Sequence, residues 1–227
     1  DMMPLYVVIY PSIARYAEAS IMNGVYGDAK EKCPLCAAPV SGGEIQFPVC
    51  LELSNIKMPD FMYTYGMDMP FVVSQKCKDV LEKKRISGIT GYKRIDKIIY
   101  KDVEIADSSY YLPEIQRIEL PIDRRLSRIS YGDATSTSIC PLCNPTGKTM
   151  DFIFGLYFGI SSDSGLDIFK TYELGDCVLV SQNFIDMVKK EKLTNFKCEL
   201  TSHHDSNLKK LFDSDQLKDM FGTDTLN

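Results

Sequence analysis

No part of the chain is apolar for long. The longest such run is residues 5–10 (LYVVIY), well short of the roughly 18–20 residues a membrane span needs, so no membrane partner is expected. The N-terminal region lacks the basic stretch, extended apolar core and small-residue cleavage site of a signal peptide. The expectation is therefore a soluble, cytoplasmic protein. An excess of positive charge is missing too. The 26 Lys and Arg against 31 Asp and Glu leave a net −5 and a pI of about 5.2, which argues against a general nucleic-acid binder. Histidine is scarce: His203 and His204 are the only two. No Ser or Cys stands in a recognisable nucleophile context beside them, so they read as loop residues. Low-complexity sequence is absent. With 44% hydrophobic and 25% charged residues, the 227 residues suffice for one large domain or two small ones.

What the chain does have is eight cysteines. Without a secretion signal, reduced thiols or metal ligands are the more reasonable expectation than disulfides. Four of them form two identical tetrapeptides, Cys33-Pro34-Leu35-Cys36 and Cys140-Pro141-Leu142-Cys143. Cys50, Cys77, Cys177 and Cys198 stand alone and read as small packing residues.

A shift of 107 residues places Cys33 on Cys140, and it aligns much else. Asp60 falls on Asp167, Thr64-Tyr65 on Thr171-Tyr172, and Val73-Ser74-Gln75 on Val180-Ser181-Gln182. Over residues 60–83 there are 8 identities in 24 positions. Upstream of each CPLC lies a shared YGDA, Tyr26-Gly27-Asp28-Ala29 and Tyr131-Gly132-Asp133-Ala134. The pattern reads as an internal duplication.

Residues 5–10 suit a strand. Residues 71–73 and 178–180 are short apolar strands, and each ends at a serine able to cap a helix. The helices are expected over 74–85 and 181–191. The second buries Phe184, Ile185 and Val188 on one face, and lysine-rich turns close both. Strands are expected at 91–99, 98–104, 115–122 and 195–201, with Pro113 and Pro121 as boundaries. Residues 152–160 read as a central strand and 205–221 as an interrupted C-terminal helix. The expected class is α+β: two duplicated halves, 1–113 and 114–227, mainly antiparallel sheet with one helix each. A four-cysteine zinc knuckle pair would join them into one compact unit.

Two Cys-x-x-Cys pairs are the usual contribution to a closed four-thiolate zinc site, because that spacing lets both sulfurs of a pair face one ion. One pair per half places a structural Zn2+ on Cys33, Cys36, Cys140 and Cys143, and loss of the metal should loosen the halves. Redox-active dithiols and ordinary buried cysteines are the alternatives. Dithiols would each need a following helix N-terminus to lower the thiol pKa, and none is expected there. The residue after the second cysteine usually takes a positive φ. Asn144 tolerates that better than Ala37, so the first knuckle is the poorer match.

Catalytic signals are weak. Gly147-Lys148-Thr149 lacks the upstream glycine of a phosphate loop, and 163–167 lacks the ligand spacing of a calcium loop. Four cysteines would also close a metal site to water. The chain is therefore not expected to be an enzyme. Charge is uneven, however. Residues 76–101 hold nine Lys/Arg and three Asp/Glu, whereas 151–176 hold five acids and one lysine. Asp163, Asp167, Glu173 and Asp176 are candidates for contact with a basic partner.

The order of motifs resembles the double-CxxCG family of bacterial immunity proteins, which belong to polymorphic toxin systems. The resemblance covers about residues 20–200. It rests on the two CxxC motifs, Val72-Val73-Ser74 leading to Ile89-Thr90-Gly91, Asp167-Ile168-Phe169-Lys170, and Val178-Leu179-Val180-Ser181 with Phe184. Ala37 and Asn144 replace the glycines of that family. The resemblance implies a non-enzymatic inhibitor with structural zinc. Such a protein binds a cognate toxin and occludes its active or substrate site. The alternatives are a zinc-ribbon-like nucleic-acid or regulatory module built on 76–101, and a thiol redox protein.

Overall fold

A computed structural model describes residues 4–9, 15–22, 24–29, 31–65, 71–106, 109–132, 139–148, 150–153, 155–159 and 164–204. The expected helix at 205–221 lies outside them, as do Tyr10, Asp133, Ala134, Ile160 and Asp163. In chain order the elements are β1 (Leu5–Val8), β2 (Ala19–Ile21), β3 (Tyr26–Ala29), β4 (Gly43–Ile45), β5 (Cys50–Leu53), β6 (Phe61–Tyr65), β7 (Phe71–Ser74), α1 (Gln75–Lys83) and β8 (Ile89–Arg94). There follow β9 (Lys97–Tyr100), β10 (Val103–Glu104), β11 (Tyr110–Ile115), β12 (Arg117–Ile118), β13 (Ile129–Tyr131), β14 (Met150–Ile153), β15 (Ile168–Thr171), β16 (Leu179–Ser181), α2 (Gln182–Lys190) and β17 (Cys198–Leu200). The class is α+β, mainly sheet with two helices.

An eight-stranded sheet runs β10-β9-β5-β2-β6-β7-β11-β8, and a five-stranded sheet runs β12-β15-β16-β1-β17. Pairing is mostly antiparallel; β2–β6, β5–β9 and β12–β15 are parallel. β8 and β9 lie near opposite ends of the larger sheet, yet only Ile95 and Asp96 separate them in sequence. The sheet must therefore curl back on itself. This also breaks the single strand expected at 91–99. At the break Ile95 N–H donates to Tyr110 O, and Asp96 accepts from Val49 N–H at 2.7 Å.

Both helices form where the sequence placed them, for the expected reason. The Ser74 hydroxyl accepts from Cys77 N–H at 3.1 Å, and that of Ser181 accepts from Phe184 N–H at 3.2 Å. The serines cap the helices from outside, so the helices start one residue later than expected. Their C-termini match as well. Arg85 (φ 55°) and Lys192 (φ 51°) are left-handed, and Ile86 N–H and Leu193 N–H return to Leu81 O and Val188 O, both at 3.0 Å. α1 buries Cys77 and Leu81; α2 buries Phe184, Ile185, Met187 and Val188.

The strands on either side of each helix share a third strand between them. β1 pairs with β16 and β17, which flank α2. β11 pairs with β7 and β8, which flank α1. Tyr6 donates its hydroxyl to Gln182 Oε1, and Tyr111 donates to Gln75 Oε1. The loops after the helices cross. Thr194 donates its N–H and hydroxyl to Asp60 Oδ2 at 2.9 and 3.0 Å, and Ser87 donates its own to Asp167 Oδ2 at 3.0 and 2.9 Å. Gly88, one residue after Ser87, has φ 98°. A Cβ there would lie 1.7 Å from Ile168 O, so only glycine fits.

Two apolar clusters carry the fold. The larger lies around Phe61, Phe71, Phe184 and the helix faces; the smaller lies around Val7, Phe158, Phe169 and Leu179. Two expectations change. Pro113 lies inside β11 and does not bound a strand. β7 pairs only with Tyr110 and Tyr111, so at Pro113 there is no ladder on that side to break. Residues 152–160 are not a central strand. Among the described residues β14 pairs only with β13, in a two-stranded sheet, and Phe158 makes an isolated bridge to Ile122.

Candidate metal centre

Each CPLC is a tight turn, but the two close differently. In the first, Ala37 N–H returns to Cys33 O at 2.9 Å and Cys33 N–H donates to Ala38 O at 2.8 Å. Ala37 takes the left-handed conformation, φ 59°. In the second, Cys140 and Asn144 exchange backbone bonds at 3.0 Å in both directions, and the positive φ falls later, at Gly147 (φ 70°). The sequence had favoured Asn144 over Ala37 for that conformation. Asn144, held in the two-way bridge, does not take a positive φ, while the turn at Cys33 places the alanine there.

The turns bring the four sulfurs together. Cys33 Sγ lies 3.7 Å from Cys140 Sγ, and Cys36 Sγ lies 3.5 Å from Cys143 Sγ. All four sulfurs lie within 4.8 Å of one another. Four thiolates at about 2.3 Å from a tetrahedral ion would stand about 3.8 Å apart. The donor set therefore suits a soft, tetrahedral metal. Cys33 and Cys140 are 2% exposed, packed with Val40 against Leu142 and Tyr172, while Cys36 faces solvent.

The thiols do not titrate alike. The backbone N–H groups of Cys143 and Leu142 point at Cys140 and bring its pKa down to about 6. Burial and the neighbouring thiols hold Cys143 above the usual thiol range. One thiolate is thus favoured by the knuckle backbone, and its charge resists the ionisation of the next. A divalent cation among them would reverse that resistance. No helix follows either pair directly. Among the described residues Cys50, Cys77, Cys177 and Cys198 join no group of potential ligands; Cys77 is buried in the main core, and the rest are half-buried.

The acidic candidates have internal partners. Asp167 accepts from Ser181, Asn183 and Ser87. Glu173, 8% exposed, is paired with Arg124 and accepts from Ile122 N–H. Asp176 accepts from Lys170 at 2.9 Å, Arg117 at 3.1 Å and Gly42 N–H at 3.1 Å. Asp163 lies outside the described residues. Lysines of the basic stretch are also matched: Lys76 with Asp60, Lys78 with Glu82, Lys84 with Glu191, Lys93 with Glu44 and Lys97 with Glu104.

Sequence reasoning missed Arg117. Its side chain is 4% exposed, and it donates to Glu31 beside the first knuckle, to Asp176, and to the carbonyls of Thr171 and Gly175. It ties the first knuckle to the 171–176 turn. It stands between Gln116 and Ile118, in no repeat or motif that would single it out.

No helix among the described residues is long and apolar enough to cross a membrane. No curated protein matches the chain. A family profile does match, over residues 43–201, which takes in both helices and the second knuckle but leaves Cys33 and Cys36 outside. It is again an immunity family, as the motif order implied, and over that span the chain belongs to the Immunity protein family (Imm11).

Proposed function

We propose that the protein protects its cell by binding a cognate toxin and occluding the toxin's active or substrate site, without catalysis of its own. The observation that carries this reading is the family match over residues 43–201. In it, Cys33, Cys36, Cys140 and Cys143 hold one structural Zn2+ in the cytoplasm. The sulfur separations support this part, and the ion's role is to fix the two knuckles relative to each other. The halves joined in this way, roughly 1–113 and 114–227, are read as a duplication. The shared 107-residue offset of Ser87 with Thr194, Asp60 with Asp167, and the helix caps supports that history.

The test is co-expression with the toxin domain encoded by the adjacent gene. Cells carrying both should grow, and the purified pair should form a complex. Growth arrest with no complex would overturn the reading. Elemental analysis of reduced protein should give about one zinc per chain, and Cys140→Ser should abolish it.

A further inference from the structure

An open cleft of about 620 Å³ lies against the thiol cluster, with Cys36 and Cys143 in its wall. Its lining is largely apolar, through Val40, Pro145, Met150, Ile153 and Leu174. Three observations set it apart. First, Tyr131 lines it, and the buried Tyr131 hydroxyl has no hydrogen-bond partner. Buried hydroxyls nearly always have an acceptor, so a missing one calls for an explanation. Second, Lys148 stands exposed in the cleft wall with no carboxylate partner among the described residues, whereas Glu173, also in the wall, is already matched by Arg124. Lys148 has only donors to offer, and the Tyr131 hydroxyl can donate to an acceptor as well. Third, each knuckle exposes a large apolar side chain. Leu35, next to Cys36, is 65% exposed, and Ile139, next to Cys140, is 73% exposed. Exposed apolar patches around a recess, with Tyr and Met inside, are the make-up of protein interface cores.

We propose that this cleft is where the toxin docks, and that it receives an extended segment carrying an apolar side chain next to a carboxylate. The apolar group fills the space over Met150 and Ile153. The carboxylate meets Lys148, and the segment supplies the acceptor that Tyr131 lacks. Leu35 and Ile139 extend the contact on to the toxin surface, a footprint wider than a small molecule needs. The four-thiolate site then has a purpose beyond folding, because it fixes two walls of the cleft. This inference rests on the immunity reading.

Its test is calorimetric titration of the inactivated toxin domain encoded by the adjacent gene into the zinc-loaded protein. Met150→Glu should weaken binding roughly 30-fold or more, and Lys148→Glu by roughly 5-fold, as expected of a buried anchor and a rim charge. Lys101→Glu, at the tip of the β9–β10 hairpin, should bind as wild type. Lys148 is exposed, so its variant keeps the test valid even if Met150→Glu fails to fold. Wild-type affinity in Lys148→Glu and in folded Met150→Glu would overturn the cleft and leave the immunity reading standing. No binding by the wild-type protein would overturn both.

Discussion

At the scale of single residues, Asp60 and Asp167 do the same work in two places. Burial acts to raise both carboxyl pKa values. The Thr194 N–H, Lys76, Ser74 and the Thr194 hydroxyl outweigh it at Asp60, and Asn183, the Ser87 N–H and hydroxyl, and Ser181 outweigh it at Asp167, so both carboxyls titrate below the usual range. The folded state therefore favours the ionised forms. Their contribution is complete above the ordinary aspartate value of about 3.9, and it is lost as pH falls through the lower folded-state values. Asp60→Asn keeps the shape but turns an amide toward Thr194 and Lys76. It should cost about 1–3 kcal/mol at neutral pH and flatten the loss of stability below about pH 4, as urea denaturation at pH 7 and pH 3 would show. Wild-type stability at pH 7 would refute this account. The recurrence of the two aspartates was legible in the sequence. Their partners were not, because Thr194 and Ser87 lie far away in sequence and pair only once the chain has crossed itself.

At the scale of elements, the helices were the most legible part, because capping is local. A serine, an apolar face and a lysine-rich end set both with no help from the rest of the fold. The strands were less legible. Most are two to five residues long, too short for a period of two to register, and their places depend on distant partners. The stop signals show what local reading missed. Both helices end in a Schellman motif whose left-handed residue is not glycine but Arg85 or Lys192. A side chain costs about 1–2 kcal/mol in that conformation, and glycine gives back about 0.5–1 kcal/mol through its freer unfolded chain. Lys192→Gly should therefore stabilise the protein by about 0.5 kcal/mol, read as a small rise in melting temperature. A fall would mean that the lysine side chain makes a contribution its backbone strain conceals.

At the scale of the molecule, the two knuckles were legible as candidate ligands of one shared ion, while their meeting in space was not. Spacing along the chain named all four cysteines, and only the fold could bring positions 107 apart to 3.7 and 3.5 Å. The same offset brings Lys84 to Glu191 at 2.7 Å, so like positions meet like positions, as across a two-fold axis. The sequence suggested that a shared metal holds the halves together, and that losing it loosens them. The crossed strands argue for a smaller effect. β1 is bound between β16 and β17, far along the chain, and the crossing loops bond at Asp60 and Asp167. The two large apolar clusters contain none of the knuckle cysteines; only a small third cluster does. Chelation should therefore leave the far-ultraviolet spectrum and the helix amides nearly unchanged. It should raise hydrogen exchange sharply at 31–40 and 139–148, where backbone order depends on the turns around the sulfurs. The melting temperature should fall without a second, separate transition. Cooperative loss of both sheets on chelation would mean that the metal, and not the strand crossing, binds the halves into one unit.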